Sequence, residues 1–152
     1  MADLNRGAIE AFLEAKRFAF VGVSRDARDF SRHVFRAFAG AGYEPVPVNP
    51  HASEIEGQPS YRTVGEIAPP VDAVFVMTPP AGTLDALERC GTASIRRVWL
   101  FRGAGQGAVS PEVVRLCEER GWSLVAGECP LMFLPGAGWL HRIHRFFRHP
   151  GY

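Results

Sequence analysis

Five short apolar runs, separated by stretches with helical spacing, constrain this chain more than any other feature. The first, RFAFVGVS (17–24), is rich in Phe and Val and ends at Gly22. Its length and composition suit a strand buried on both faces. YEPVPV (43–48), VDAVFVM (71–77), RVWLF (97–101) and WSLVA (122–126) repeat the signal. The two prolines in the second run suit only positions whose amides are not needed for pairing. Between the runs lie helical segments. In HVFRAFAGAGY (33–43), Val34, Phe35 and Phe38 mark one face, and Gly40 and Gly42 mark the stop. A second helix, 81–90, follows Pro79-Pro80. A third opens at Ser110-Pro111, with Ser as N-cap and Pro in the first position, and ends at Gly121. Residues 5–17 place Ile9, Phe12 and Leu13 on one face of an N-terminal helix, and residues 138–147 predict a C-terminal one.

Strict alternation of strand and helix predicts an α/β fold: a Rossmann-like, doubly wound parallel sheet of about five strands. The expected strand order is 3-2-1-4-5, with the switch point beside the first strand. At 152 residues the chain is read as a single domain, residues 1–152, with a core over about 12–130 and a helical tail over 131–152. A net charge of +1 argues against a surface built for nucleic acid or an acidic membrane. No apolar run approaches a bilayer span, and the N-terminus shows no secretory pattern, so the expected location is the cytoplasm. The three cysteines, Cys90, Cys117 and Cys129, are widely spaced and show neither CxxC nor a zinc pattern.

In such a sheet, ligands bind at the carboxyl ends of the strands. Five loops converge there: 22–31, 49–51, 78–80, 102–107 and 127–130. Gly22 offers a close backbone approach at the end of the first strand. The helix expected to begin near Ser31 presents free N–H groups and a dipole to an anion. Ser31 either caps that helix or donates to a phosphate, and Arg25, Arg28 and Arg32 add positive charge. A capped surface helix with solvated arginines is the plainer reading. A nicotinamide or flavin dinucleotide fits poorly: GVSRDARDF carries one glycine where GxGxxG needs three, and the second strand ends in Val48-Asn49-Pro50 with no carboxylate for a ribose 2′-OH.

The combination of VGVS, Ser31 opening a helix, GYEPVPVNP, VDAVFVMTPP and VWLFRGA resembles the small, stand-alone CoA-binding domain family, related to the nucleotide-binding domain of succinyl-CoA synthetase α subunits. The resemblance spans about residues 12–130. It implies a Rossmann-like fold with coenzyme A or an acyl-CoA at the switch point. It also implies that Gly22, Val23 and Ser24 lie against the nucleotide and that Ser31 and Arg32 meet phosphate. Asn49 and Pro50 would bound the adenosine, Thr78 and Pro79 would line the pocket, and Trp99 to Gly103 would form its far wall. CoA carries a 3′-phosphate on its ribose, which an acid at the end of the second strand would repel and an Asn would not. Two departures from the family pattern stand out: the acids Asp26 and Asp29 in the phosphate loop, and Arg102 after the fourth strand.

Cys129 sits at the ligand end of the sheet, where the family often has a Cys; a small buried hydrophobe is the plainer role. Cys90 and Cys117 read as core. The tail HRIHRFFRHP (141–150) has His141 and His144 one helical turn apart but no acidic or Cys partner, so no metal site is expected. Its apolar residues suit a helix docked on the domain, and its basic rim is a candidate surface for a protein partner or a second copy. No Ser-His-Asp spacing, GxSxG or Walker lysine appears, and GAGQGA (103–108) lacks the Lys-Ser/Thr of a P-loop. The expectation is therefore a non-catalytic CoA- or acyl-CoA-binding protein. The alternatives are an NAD(P)-type redox or regulatory module and an interaction subunit using its C-terminal helix.

Overall fold

Side-chain alternation along each strand decides what the two layers on either side of the sheet are made of. A computed structural model describes residues 2–90, 94–102 and 107–134. It runs α1 (Ala2–Glu14), β1 (Arg17–Val21), α2 (Phe30–Gly40), β2 (Glu44–Val48), a small hairpin of β3 (Glu54–Ile55) and β4 (Gln58–Pro59), β5 (Ala73–Val76), α3 (Pro80–Glu88), β6 (Arg97–Phe101), α4 (Pro111–Glu119) and β7 (Ser123–Glu128). Phe18 and Phe20 of β1, Phe75 of β5 and Trp99 of β6 point to one face. There they pack with Ile9 and Phe12 of α1 and Val34, Phe35 and Phe38 of α2. The alternate residues, Ala19, Val21, Val74, Val76, Val98 and Leu100, point the other way, onto Leu87 of α3 and Val113 and Cys117 of α4. This is the period of two expected of a parallel sheet covered on both sides.

The fold is α/β and Rossmann-like, as the alternation predicted, but the strand order is not the expected one. The five-stranded sheet runs β2-β1-β5-β6-β7 and its four pairings are all parallel. Counting main-sheet strands alone, that is 2-1-3-4-5 rather than 3-2-1-4-5. The prolines of β2 give the reason. Glu44 N–H donates to the Lys16 carbonyl beside β1, so residues 44, 46 and 48 face β1, and Pro45 and Pro47 face outward. With both outward amides missing, β2 cannot sit between two strands, and the third main strand must pair on the other side of β1. The outer flank of β2 is closed by a short return. Tyr61 N–H donates to the Pro47 carbonyl at 3.0 Å, and Asn49 N–H to the Tyr61 carbonyl at 2.9 Å.

The switch point consequently lies between β1 and β5, still beside the first strand. The N-terminal helix lies over β6 and β7, with Phe12 edge-on to Trp99 at 5.4 Å. Ser110 caps α4 by accepting the Val113 N–H, as its Ser-Pro start predicted. The β3–β4 hairpin, turning through Glu56 and Gly57 with φ of 51° and 76°, has no counterpart in the sequence reading. The C-terminal helix expected over 138–147, with His141 and His144, and His149 beyond it, lies outside the described residues. Among the described residues, no helix is long and apolar enough to cross a membrane.

Candidate functional site

The crevice between the carboxyl ends of β1 and β5 is framed by a loop that is hydrogen-bonded almost entirely to itself. Gly22, with φ of 92°, stands where a Cβ would come within 2.9 Å of the Met77 carbonyl carbon and of Thr78 Cγ2. The close approach that glycine permits here is that of the neighbouring strand end, which draws the β5–α3 connection against the β1–α2 loop. Thr78 is held in turn by Thr83, whose hydroxyl lies 2.7 Å from that of Thr78. Pro79 is exposed at the lip of the crevice.

The β1–α2 loop is built around Ser31 and Asp29. Helix α2 begins at Phe30, one residue earlier than expected, and its N-cap is Asp29. The Asp29 carboxylate accepts the Ser31 N–H at 2.9 Å and the Ser31 hydroxyl at 2.6 Å. Those two bonds, the hydroxyl first, hold the Asp29 carboxyl below the usual Asp range. The Ser31 oxygen also accepts the Ser24 N–H at 2.9 Å. Ser31 is therefore engaged on both sides within the loop and buried. Asp26 acts likewise, accepting the Arg28 N–H at 2.9 Å while its own N–H donates to the Ser24 hydroxyl. The two acids that looked out of place near a polyanion are thus the loop's own scaffold.

Arg32 is the buried cation of this region, 7% exposed. Its Nη1 donates to the carbonyls of Ser24 and Arg25, at 3.2 and 3.3 Å, and its Nη2 to Glu56 Oε2 at 2.9 Å. Glu56 also receives Arg36. The hydrogen bond from Arg32, followed by that from Arg36, keeps its carboxyl below the usual Glu range against the opposing effect of burial. Arg32 Nε is buried and has no hydrogen-bond partner among the described residues. Arg25 and Arg28 project into solvent, Arg28 pairing only loosely with Asp26 at 3.4 Å. The N–H groups of Arg25, Ala27 and Phe30 meet no acceptor among the described residues.

Asn49 ties the ends of the first two strands together. Its Nδ2 donates to the Val23 carbonyl at 3.0 Å, and its Oδ1 accepts the His51 N–H at 2.8 Å. Pro50 lies exposed beside it. Gly22, Val23, Ser24, Ser31, Arg32 and Asn49 thus form one connected mesh, with Pro50 at its edge and Thr78 and Pro79 across the crevice. The Val23 side chain is buried in the core, leaving only its backbone to the mesh.

Trp99 requires a correction. Its side chain is fully buried beneath α1, and its indole N–H donates to the Glu128 carbonyl at 2.9 Å. It fills the core beneath the crevice instead of forming a wall, because position 99 alternates onto the same face as Phe75. Gly103 lies outside the described residues. At Gly107 a φ of 60° lets the chain close on Phe101, and Ala108 N–H donates to the Phe101 carbonyl. Cys129 is buried against the aromatic core.

Sequence reasoning missed three residues. Asp29 could have been found from its position before an apolar-periodic run. Glu56, in a two-residue turn between very short strands, gave almost no signal. Phe30 is the third: it is 46% exposed at the start of α2, with its ring 6.0 Å from that of Phe101 at the end of β6. Among the described residues, no group of three or more His, Cys, Asp and Glu could hold a metal ion.

Comparison with known proteins agrees with this architecture. Residues 16–135 match the family model described as a CoA binding domain. An uncharacterized protein, YneT of Bacillus subtilis, is 29% identical over 130 residues, covering 85% of this chain and 93% of that protein. The α subunit of an ADP-forming acetate–CoA ligase II from Pyrococcus furiosus is 24% identical over 129 residues; the match takes in 80% of this chain but 28% of that much longer subunit. Among solved structures, a conserved hypothetical protein from Pyrococcus furiosus superposes with a TM-score of 0.67 at 30% identity, over 75% of this chain and 95% of that one. With the matched segment running from the start of β1 to the turn that follows β7, the chain belongs to the CoA-binding domain family.

Proposed function

We propose that the protein binds coenzyme A or an acyl-CoA across the carboxyl ends of β1 and β5, as a binding or regulatory protein without a reaction of its own. The observation that carries this reading is the β1–α2 loop, where among the described residues the N–H groups of Arg25, Ala27 and Phe30 meet no acceptor and the buried guanidinium of Arg32 lies behind them. Free N–H groups at a helix N-terminus, with a cation behind them, favour an incoming anion. In this reading the diphosphate lies against the backbone of residues 22–30. Ser31 and Arg32 hold that backbone in shape from beneath. Asn49 and Pro50 bound the adenosine, and the pantetheine arm passes Thr78 and Pro79.

Asn49 discriminates between nucleotides. A carboxylate at the end of the second strand suits the free 2′-OH of NAD. A neutral carboxamide tolerates the extra phosphate on the ribose of CoA. Titration calorimetry tests the reading: saturable binding of CoA is expected, with NADH at least ~tenfold weaker. In the variant Asn49→Asp, CoA weakens more than dephospho-CoA, which lacks the 3′-phosphate. Saturable binding of NADH with none of CoA would replace this reading with a dinucleotide-binding module.

A further inference from the structure

The polar mesh around Ser31 has an anchor outside the crevice. Glu56 is the first of the two residues that join β3 to β4. With Gly57 it takes a left-handed φ at both positions of that turn, the type I′ arrangement. Asn, Asp and Gly are the usual residues there, because a short or absent side chain suits a left-handed φ. Among the described residues, Glu56 is the one non-glycine residue with a positive φ. Its carboxylate supplies what the turn does not explain. Oε2 accepts Arg32 Nη2 at 2.9 Å, and Oε1 accepts Arg36 Nε. A residue ill suited to its backbone position is thus spent on a bond that closes across 24 residues.

What that bond fixes is a peptide plane. Arg32 lies behind the β1–α2 loop, with Nη1 on the carbonyls of Ser24 and Arg25. In a planar trans peptide, the carbonyl of one residue and the N–H of the next point in opposite directions. The Ser24 carbonyl is turned inward to Arg32, so the Arg25 N–H is turned outward, away from the guanidinium. That amide is one of the three in the loop that meet no acceptor among the described residues. The next plane is turned the same way, and its N–H, that of Asp26, is taken by the Ser24 hydroxyl at 3.0 Å. A guanidinium can aim these planes only if it is itself held. Its fork is rigid: Nη1 grips the loop and Nη2 grips Glu56, so the hairpin fixes the far side of the same planar group.

We infer that Glu56 is a positioning residue for the anion-binding loop: from the β3–β4 hairpin it fixes Arg32, and through the Ser24 carbonyl it aims the Arg25 N–H at the ligand's diphosphate. This rests on the reading that the loop holds the diphosphate of CoA. Charge alone makes the opposite forecast. Removing a carboxylate beside a polyanion site strengthens binding on Coulomb grounds, and removing the Arg36 cation weakens it. Titration calorimetry of the full chain with CoA separates the two. Affinity is expected to fall at least ~fivefold in Glu56→Gln and in Glu56→Asn, whose shorter side chain suits the turn. In Arg36→Gln, which leaves Arg32 paired, affinity stays within ~twofold of wild type. Circular dichroism confirms that the variants are folded. By two-dimensional NMR, saturating CoA displaces the Arg25 amide resonance in the wild type and displaces it less in Glu56→Gln. Folded Glu56 variants that bind CoA as tightly as the wild type, or more tightly, overturn the inference and leave the CoA reading standing. So does an equal loss in Arg36→Gln, which reduces Glu56 to half of a staple between hairpin and helix. An Arg25 resonance that CoA leaves unmoved in the wild type overturns it as well. A wild-type protein that binds no CoA removes the CoA reading and this role of Glu56 with it.

Discussion

The two faces of the sheet are packed with different chemistry although the same strands supply both. On the α1–α2 side the contacts are between rings. Phe18 meets Phe38 edge-on at 4.7 Å, Phe38 meets Phe75 at 5.3 Å, and Phe12 meets Trp99 at 5.4 Å. On the α3–α4 side, Val, Ile, Leu and Ala fill the space with Cys90 and Cys117. Aromatic pairs have preferred edge-to-face geometries and carry a large buried area each, whereas branched aliphatics pack without directional preference. The difference teaches which layer meets solvent at the carboxyl edge of the sheet. The aromatic layer reaches the carboxyl edge through Phe101 and Met77 and ends in the exposed Phe30, while among the described residues the aliphatic layer has no exposed large hydrophobic.

The most severe way to break this comparison is to truncate one large ring. Trp99→Ala is expected to cost about 3–5 kcal/mol by equilibrium unfolding in urea, because it leaves a large void and removes the bond from the indole N–H to the Glu128 carbonyl. Val98→Ala, one residue away on the aliphatic face, is expected to cost roughly 1–3 kcal/mol. Equal losses would show that the two layers do not differ as packing units.

The aliphatic face can be singled out by its thiols. Burial pushes Cys90 up to about 11 and Cys117 up to about 12. A thiol whose folded pKa is raised stays protonated in the native state after the unfolded chain has begun to ionise. Stability from this source is therefore complete below about pH 9 and declines as pH climbs through the folded values. Following the urea midpoint between pH 8 and 11 should show that decline, with a shallower slope in Cys117→Ala. A slope identical in wild type and variant would exclude the thiol. Neither cysteine should react with an aromatic disulfide at pH 8 until the protein unfolds.

The smallest effect belongs to the cap of α2, the helix that covers the aromatic face alone. Asp29→Ala is expected to cost about 1 kcal/mol near neutral pH. The Asp29 carboxyl is lowered in the folded state, so this contribution is present above the ordinary Asp value and is lost as pH falls through the folded one. Unfolding of the variant and of the wild type should converge in acid. A constant gap down to the lowest accessible pH would assign the loss to something other than the carboxylate.

Periodicity made the layers legible in the sequence, because the alternation in RFAFV and RVWLF is the alternation between faces. Strand order was harder. Pro45 and Pro47 already declared β2 an edge, but only when the direction of each amide is followed does the third strand have to cross to the far side of β1. The polar cluster at the candidate site was legible by position: Ser24, Ser31, Arg32 and Asn49 lie in one stretch of bonded loops. Their partners were not, since the bonds from Arg32 to Glu56 and from Asn49 to Val23 close across 24 and 26 residues. Trp99 was misplaced for a related reason, since lying near the end of a strand says nothing about the face onto which a ring points.

The prolines of β2 have a further effect on the molecule's encounters with its own kind. A foreign strand arriving at that flank finds no hydrogen donors at positions 45 and 47, and Tyr61 already occupies the Pro47 carbonyl and the Asn49 N–H. Recruitment of the sheet into a growing cross-chain ribbon is thereby barred on this side without spending a single charge.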